Sequence, residues 1–442
     1  MFRKIAKYML LALSCVIGGC GQPDKQSGFN IVIILADDLG YGDLACYGSE
    51  LNETPEIDAL AERGILFTDF HSNGPVCSPT RAALITGKYQ QKSGIEGVVH
   101  AVHYRHEGLD QGAFTIADHL KEKGYTTGII GKWHLGYDTA YSPLNFGFDY
   151  FKGFVSGNID YHSHLDGTGV HDWYLGKKEI REEGYTTDLI TEDAVAFIER
   201  NRDEPFFLYL AHEAPHFPFQ DREDEAIRIE GRPLSGIGVT PHVKTTYKNM
   251  IKALDEGVGM VMQTLSKYQL LQNTLVFFVS DNGALEIGSN EPLRGHKGSL
   301  WEGAHRVPAI AYWEGKIAPG VNNELLMTMD IFPTIAALTG DNQAGKEDLD
   351  GIDFSASLFG TQSDPNNQVE RTVFYRFKDQ KSARKGAWKL LVQDDSTYLF
   401  NLDTDLAEKF NVLNDNDSVA GVLNMDLVDW ENEIEQYPVI TE

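Results

Sequence analysis

Cysteine is scarce in this 442-residue chain, with only four, and positive charge is short: 38 Lys and Arg stand against 65 Asp and Glu. There is also no apolar run approaching the ~20 residues that a membrane-spanning helix needs. Each shortage excludes something. Four cysteines leave room for few cross-links, and their placement narrows this to one at most in the folded body. A net charge of -27 argues against nucleic acid or an anionic membrane surface as a partner, because both would be repelled. It also requires that any small anion be held in a local basic pocket. Disordered and fibrous classes are unlike a composition of 42% hydrophobic and 23% charged residues, which is ordinary for a globular protein. The length suits one large α/β domain with a smaller appendage, and nothing in it specifies an oligomeric state.

The first residues read as a targeting segment. Arg3, Lys4 and Lys7 form a basic start, and Tyr8 to Ile17 is an apolar run too short to cross a bilayer. It ends in Ile17-Gly18-Gly19-Cys20, which is similar to a bacterial lipobox. Residues 1–19 are then a lipoprotein signal peptide, Cys20 carries a lipid anchor, and residues 20–28 are a flexible tether. The expected location is the bacterial cell envelope, in the periplasm or on the outer surface; ordinary cleavage and release is the alternative. Cys15 leaves with the signal, so Cys46 and Cys77 remain, and a disulfide between them is one fate open to an exported protein.

Four continuous apolar runs predict strands buried on both faces: Asn30 to Ala36, Thr126 to Ile130, Pro205 to Ala211 and Thr274 to Ser280. Helical patterns lie between them, over Thr54 to Arg63, Thr115 to Lys123, Thr187 to Arg200 and Thr245 to Tyr268. Thr54 is a natural N-cap ahead of Pro55. The alternation implies a large doubly wound α/β sandwich with a mostly parallel central sheet, over residues 29–362. Beyond a polar stretch from Thr361 to Gln368, short strands at Val373 to Phe377, Trp388 to Val392 and Tyr398 to Phe400 precede a helix over Asp417 to Gln436. This predicts a smaller C-terminal α+β subdomain with a short antiparallel sheet, residues 363–442.

The residues just beyond each strand carry the chemistry. Asp37 and Asp38 come after the first, Lys132 and His134 after the second, His212 and His216 after the third, and Asp281 and Asn282 after the fourth. Open parallel sheets bind ligands outside the carboxyl ends of their strands, so four strands bring such residues to one edge. Three carboxylates and an amide suit a hard divalent cation such as Ca²⁺ or Mg²⁺, and no Cys/His spacing suggests zinc. Pro79 fits a first helical turn, which puts Cys77 at a helix N-terminus with Arg81 one turn on. Cys77 is thus a nucleophile candidate with a cationic neighbour; a small buried apolar cysteine is the plainer alternative.

Cys77-x-Pro79-x-Arg81 followed by Thr86-Gly87 resembles the signature of the formylglycine-dependent (type I) sulfatases, in the alkaline-phosphatase-like superfamily. Further similar blocks occur in order, including Ala36 to Gly40, Gly131 to Gly136, Ala214 to Pro218, Ser280 to Gly283, Leu293 to Gly298, Glu302 to Pro308 and Arg384 to Leu390. Ala304 departs from the pattern, standing where the family commonly has a second glycine. The resemblance implies a sulfatase that cleaves sulfate monoesters after a maturation enzyme oxidises Cys77 to formylglycine. It implies one Ca²⁺ (Mg²⁺ as alternative) held by Asp37, Asp38, Asp281 and Asn282, with residue 77 completing the shell. A hydroxyl of the hydrated aldehyde would attack sulfur, favoured by the metal and Arg81. Lys132 and Lys297 would hold the sulfate, His216 or Lys297 would protonate the leaving oxygen, and His134 would release the bound sulfate. Arg81, Lys132 and Lys297 would then make the basic pocket that the net charge demands.

The expected substrate is a sulfated carbohydrate, either polysaccharide or oligosaccharide. A phosphate or phosphonate ester hydrolase of the same superfamily is the alternative enzyme, and a glycan-binding surface lipoprotein is what an unmatured Cys77 would leave. The polar and aromatic segment from Asp160 through Tyr174 is a candidate to read a sugar, or else a packed loop. His100, His103 and His106 suggest an exposed loop rather than a metal site, and His212 a structural residue.

Overall fold

The computed structural model describes residues 28–234, 242–340, 349–360 and 371–441. The signal, the anchor cysteine and nearly all of the tether lie outside the described residues, as does the expected boundary at 362 and 363. Among the described residues no helix is long and apolar enough to cross a membrane.

Ten strands form one sheet. Its centre runs Thr274–Ser280, Asn30–Ala36, Phe206–Ala211, Thr126–Lys132 and Tyr150–Phe154, all parallel. Ala309–Tyr312 joins one side antiparallel, followed by Ile65–Phe67 and Gly320–Asn322; Tyr174–Leu175 and Lys178–Glu179 close the other. The continuous apolar runs arise because both faces are covered. Ile31, Ile33 and Leu35 face a core shared with the helices Cys77–Thr86, Ile116–Glu122 and Ile331–Leu338. Val32, Ile34 and Ala36 face a second core shared with Pro55–Arg63, Thr186–Asn201 and Val243–Lys267.

Register places the site. Leu35 pairs with Ala211, Ala211 with Gly131, and Ala36 with Ser280. The next residues, Asp37, His212, Lys132 and Asp281, therefore leave four adjacent strands at nearly one level. Gly131 makes the close strand approach possible: its φ is 103°, and a Cβ there would lie 1.9 Å from the Ala211 carbonyl oxygen.

Two local expectations change. Thr54 stands at the N-cap position, but its hydroxyl accepts from Ala45 N–H, and Asp255 caps the helix instead by accepting from Glu56 and Ile57 N–H. The C-terminal sheet has four antiparallel strands: Thr372–Phe377, Gln380–Lys385, Trp388–Gln393 and Ser396–Asn401. The second has no apolar run to announce it. The helix Asp417–Ile434 covers this sheet with Leu423, Leu427 and Trp430.

Candidate active site

Cys77 is the first residue of its helix, after an extended Val76 (φ −148°, ψ 164°), and all ten residues of that helix are buried. Burial pushes the thiol pKa up although Lys132 and Lys297 pull it down, so the thiol stays protonated. Cys46 and Cys77 are both free, which removes the disulfide. The cation beside Cys77 is Lys297, whose Nζ lies 3.5 Å from Sγ. Arg81 is engaged elsewhere. It donates to Asp281 Oδ2 from Nε at 3.1 Å and Nη2 at 2.8 Å, and to the Lys132 carbonyl from Nη1 at 3.0 Å.

The remaining charges are paired as closely. Lys132 Nζ lies 2.5 Å from Asp37 Oδ2, and Lys297 Nζ 2.6 Å from Asp38 Oδ1. Burial raises the Asp38 carboxyl, but the charge of Lys297 and the hydrogen bonds from Lys297 and Asn282 outweigh it and bring it down to about 2. The expected basic pocket is therefore not basic as it stands, because each of its three cations already faces a carboxylate. Lys132 is wholly buried and points to Asp37 rather than lining the cavity.

Three oxygens are left over. Asp37 Oδ1, Asp38 Oδ2 and Asn282 Oδ1 are buried without a hydrogen-bond partner. Asn282 spends its Nδ2 on Asp38 Oδ1 and the Gly283 carbonyl, which leaves its oxygen unused. Such groups are costly unless something binds them, and an all-oxygen set fits a hard cation. Ligand atoms of Asp37, Asp38, Cys77 and His216 lie within 4.8 Å of one another. Asp281 Oδ1 accepts from Asp38 N–H, so both of its oxygens already have partners.

His134 and His216 are buried and neutral: burial drives both pKa values down, and the nearby cations add to this. His134 Nε2 faces the Val99 carbonyl at 3.2 Å, and Nδ1 has no partner. His216 Nδ1 faces the Phe217 carbonyl at 2.5 Å, and Nε2 lies 3.6 Å from Asp38 Oδ2. Asp38 (φ 63°) and His134 (φ 58°) both hold left-handed backbone, a strain common at functional sites. Gly157 packs on the His134 ring, where a Cβ would come 2.7 Å from Nε2. His212 is buried with neither ring nitrogen partnered, and burial lowers its pKa to about 3.

A cavity of about 940 Å³ opens over Cys77, His134, His216 and Lys297. The segment expected to read a sugar divides, its two ends packing within the loop. Asp160 organises the loop, accepting from the N–H groups of His162, Ser163, Ile227 and Arg228, and His164 stacks on Trp173. The middle of the segment, Asp166 to Thr168, lines the cavity, together with Arg228 and Phe377, for which no sequence pattern predicted a place there. His100 lines it too, while His103 and His106 are exposed and His106 pairs with Asp138. A second grouping, His71, Glu302 and His305, is already filled: Lys389 Nζ lies 3.0 Å from Glu302, and Arg384 Nη1 lies 3.0 Å from His71. Ala304 sits outside the metal set, but its carbonyl accepts from Gly283 N–H beside Asn282.

Comparison with known proteins agrees with this geometry. Residues 29–341 match the family model "Sulfatase". The chain is 33% identical over 396 residues to N-acetylgalactosamine-6-sulfatase of Mus musculus, covering 83% of this chain and 71% of that protein. It is 35% identical over 396 residues to arylsulfatase A of Homo sapiens, covering 82% and 72%. The crystal structure of Ps i-CgsB in complex with k-i-k-neocarrahexaose superposes with a TM-score of 0.83 at 30% identity, covering 94% of this chain and 95% of that one. The chain belongs to the sulfatase family and is a sulfuric ester hydrolase.

Proposed function

We propose that this enzyme removes sulfate from a sulfated carbohydrate, using formylglycine made from Cys77 and one Ca²⁺. The observation that carries the metal reading is the trio of buried, unpartnered oxygens on Asp37, Asp38 and Asn282. With Asp281 and residue 77 these would hold Ca²⁺, or Mg²⁺ as the alternative, and the ion would polarise the sulfate as a Lewis acid. The protonated, buried thiol is a poor nucleophile as encoded, which supports maturation by an oxidising partner enzyme. Once hydrated, the aldehyde supplies one hydroxyl to attack sulfur and a second whose deprotonation expels sulfate.

The two histidines and Lys297 then divide the proton transfers. His134 donates its Nε2 proton to Val99, so its unpartnered Nδ1 is the lone pair that takes a proton. His216 holds its proton at Nδ1 against Phe217, which leaves none at Nε2 to give. Lys297 is the better general acid. Asp38 keeps it charged, and a departing alkoxide is the stronger base. Arg81 and Lys132 hold Asp281 and Asp37 in place.

The carbohydrate assignment draws on relatives named for sugar sulfates and on the cavity, whose ~940 Å³ is near the top of the range for small-molecule sites. Anchoring at Cys20 would set the enzyme at the cell envelope, facing extracellular glycans. The test is direct. Peptide mass should show residue 77 about 18 Da lighter than cysteine, since two hydrogens and sulfur are lost and one oxygen is gained. A panel of sulfated oligosaccharides should release inorganic sulfate with the wild type and not with Cys77→Ala. An unmodified cysteine in active enzyme, or turnover by Cys77→Ala, removes the nucleophile; no release from any member removes the carbohydrate.

A further inference from the structure

We propose that Gln380, in the C-terminal sheet, is a positioning residue for Lys297. The inference rests on the reading of Lys297 as the group that protonates the leaving oxygen. The segment carrying Lys297 has little regular structure: between Leu293 and Trp301 it forms neither helix nor strand, and it turns through left-handed backbone at Gly295 (φ 91°) and Gly298 (φ 84°). Something else must fix it, because a 1 Å displacement of a catalytic group is costly in rate.

The C-terminal subdomain grips this segment at four points. Gln380 Oε1 accepts from Leu300 N–H at 3.0 Å, and its Nε2 donates to the Gly298 carbonyl at 3.4 Å. At the ends, the Glu408 carbonyl accepts from Arg294 Nη1 at 2.8 Å, and Glu408 Oε2 accepts from Glu302 N–H at 2.7 Å. Gly298 N–H in turn donates to Pro75, two residues before Cys77. Gln380 is buried, and its amide reaches into the turn directly after Lys297, at Gly298 and Leu300. It comes just after the hairpin tip at Phe377 and Lys378, which itself lines the cavity. Gln380 and Glu408 both lie beyond residues 29–341, the part that matches the family model. The appendage therefore completes the site, setting one wall of the cavity and holding the turn that aims Lys297 Nζ between Asp38 and Cys77.

Gln380→Met keeps the length of the side chain and removes both hydrogen bonds; Gln380→Glu keeps an acceptor for Leu300 N–H. Lys381→Met, on the same hairpin, is the control, because it removes a partly exposed ion pair with Glu431 of the helix Asp417–Ile434. Each is compared with wild type on two sulfate esters, one with a sugar alcohol and one with an acidic nitrophenol as leaving group. Peptide mass checks that residue 77 is matured equally. Gln380→Met should lose about tenfold in kcat/KM on the sugar ester and about twofold or less on the nitrophenyl ester, with Gln380→Glu between it and wild type. Amide exchange over residues 297–300 should accelerate in Gln380→Met and not in Lys381→Met. Equal losses on both esters mean general loosening and overturn the inference, as does unchanged exchange whatever the substrate proves to be. A wild type inactive on both esters with faster exchange in Gln380→Met would refute the sulfatase reading of Lys297, not the grip on its loop.

Discussion

Removing the divalent cation should weaken sulfate binding strongly as well as abolish turnover, because the protein's own charges in the site cancel. Asp37, Asp38 and Asp281 face Lys132, Lys297 and Arg81 one to one, at 2.5, 2.6 and 2.8 Å. Cys77, His134 and His216 are neutral. The metal-free site thus carries no net charge inside a chain of -27 and gives an anion no reason to enter. A bound Ca²⁺ changes the balance by two. Unit charges 4 Å apart interact by about 4 kcal/mol at an effective dielectric of 20, and desolvation offsets part of this. A coupling on the order of 100-fold is then reasonable, within the usual range for linked sites. The assay uses Cys77→Ala, which cannot turn over and loses no charge. Calorimetric titration with sodium sulfate at constant ionic strength should show binding with Ca²⁺ and about 100-fold weaker binding with a chelator. By reciprocity, saturating sulfate should tighten Ca²⁺ by the same factor. Equal sulfate affinity with and without Ca²⁺ would refute the charge argument. Higher activity with zinc in place of Ca²⁺ would refute the hard-cation reading instead, since the unpartnered atoms are all oxygen.

His134→Ala should give a burst of free alcohol and a protein about 80 Da heavier by one SO₃, whereas Lys297→Ala should slow the attack itself, form no adduct and lose least on acidic leaving groups; intact mass and pre-steady-state kinetics read both. An adduct in Lys297→Ala alone would reverse the two roles. Asp255 offers a pH test away from the site: burial raises its carboxyl to about 6 from an ordinary 3.8, so the folded state binds more protons between those values and wild-type stability falls as pH rises from about 4 to about 6. Asp255→Asn should keep an acceptor for the helix N-terminus and lose that part of the pH dependence, compared by urea denaturation at pH 4.5 and 7; parallel profiles for the two proteins would refute it.

Much of the candidate site's edge was legible because parallel strands buried on both faces announce themselves as apolar runs, and the residue after each run is then at the sheet's carboxyl edge. Thr274–Ser280 is read to the residue, and the in-register ends at Ala36, Ala211 and Ser280 bring Asp37, His212 and Asp281 level. The C-terminal strand Gln380–Lys385 gave no such signal, because several of its positions are polar and are satisfied by partners outside the strand: Ser382 donates to Leu390 on the next strand, and Arg384 pairs with the distant Asp69.

Pairing was the part that could not be read. A sequence gives the charges available to a site but not which of them face one another, and here that distinction changes the chemistry. Three basic residues suggest a standing anion pocket; three contacts of 2.5 to 2.8 Å spend all three on carboxylates. The same holds for His134, whose working nitrogen is decided by a carbonyl at Val99, 35 residues away, and for Lys297, whose turn is held by Gln380, 80 residues from Leu300. Neither partner belongs to a residue type that suggests catalysis. The strand ends bring the candidate site's groups together, but remote and chemically plain partners decide their charge, tautomer and aim. In a chain this acidic, an anion site that is neutral until a cation fills it has a physical advantage. The protein can fold around three buried carboxylates without an excess of uncompensated charge, and on the reading proposed above sulfate would be attracted only once the cation is bound.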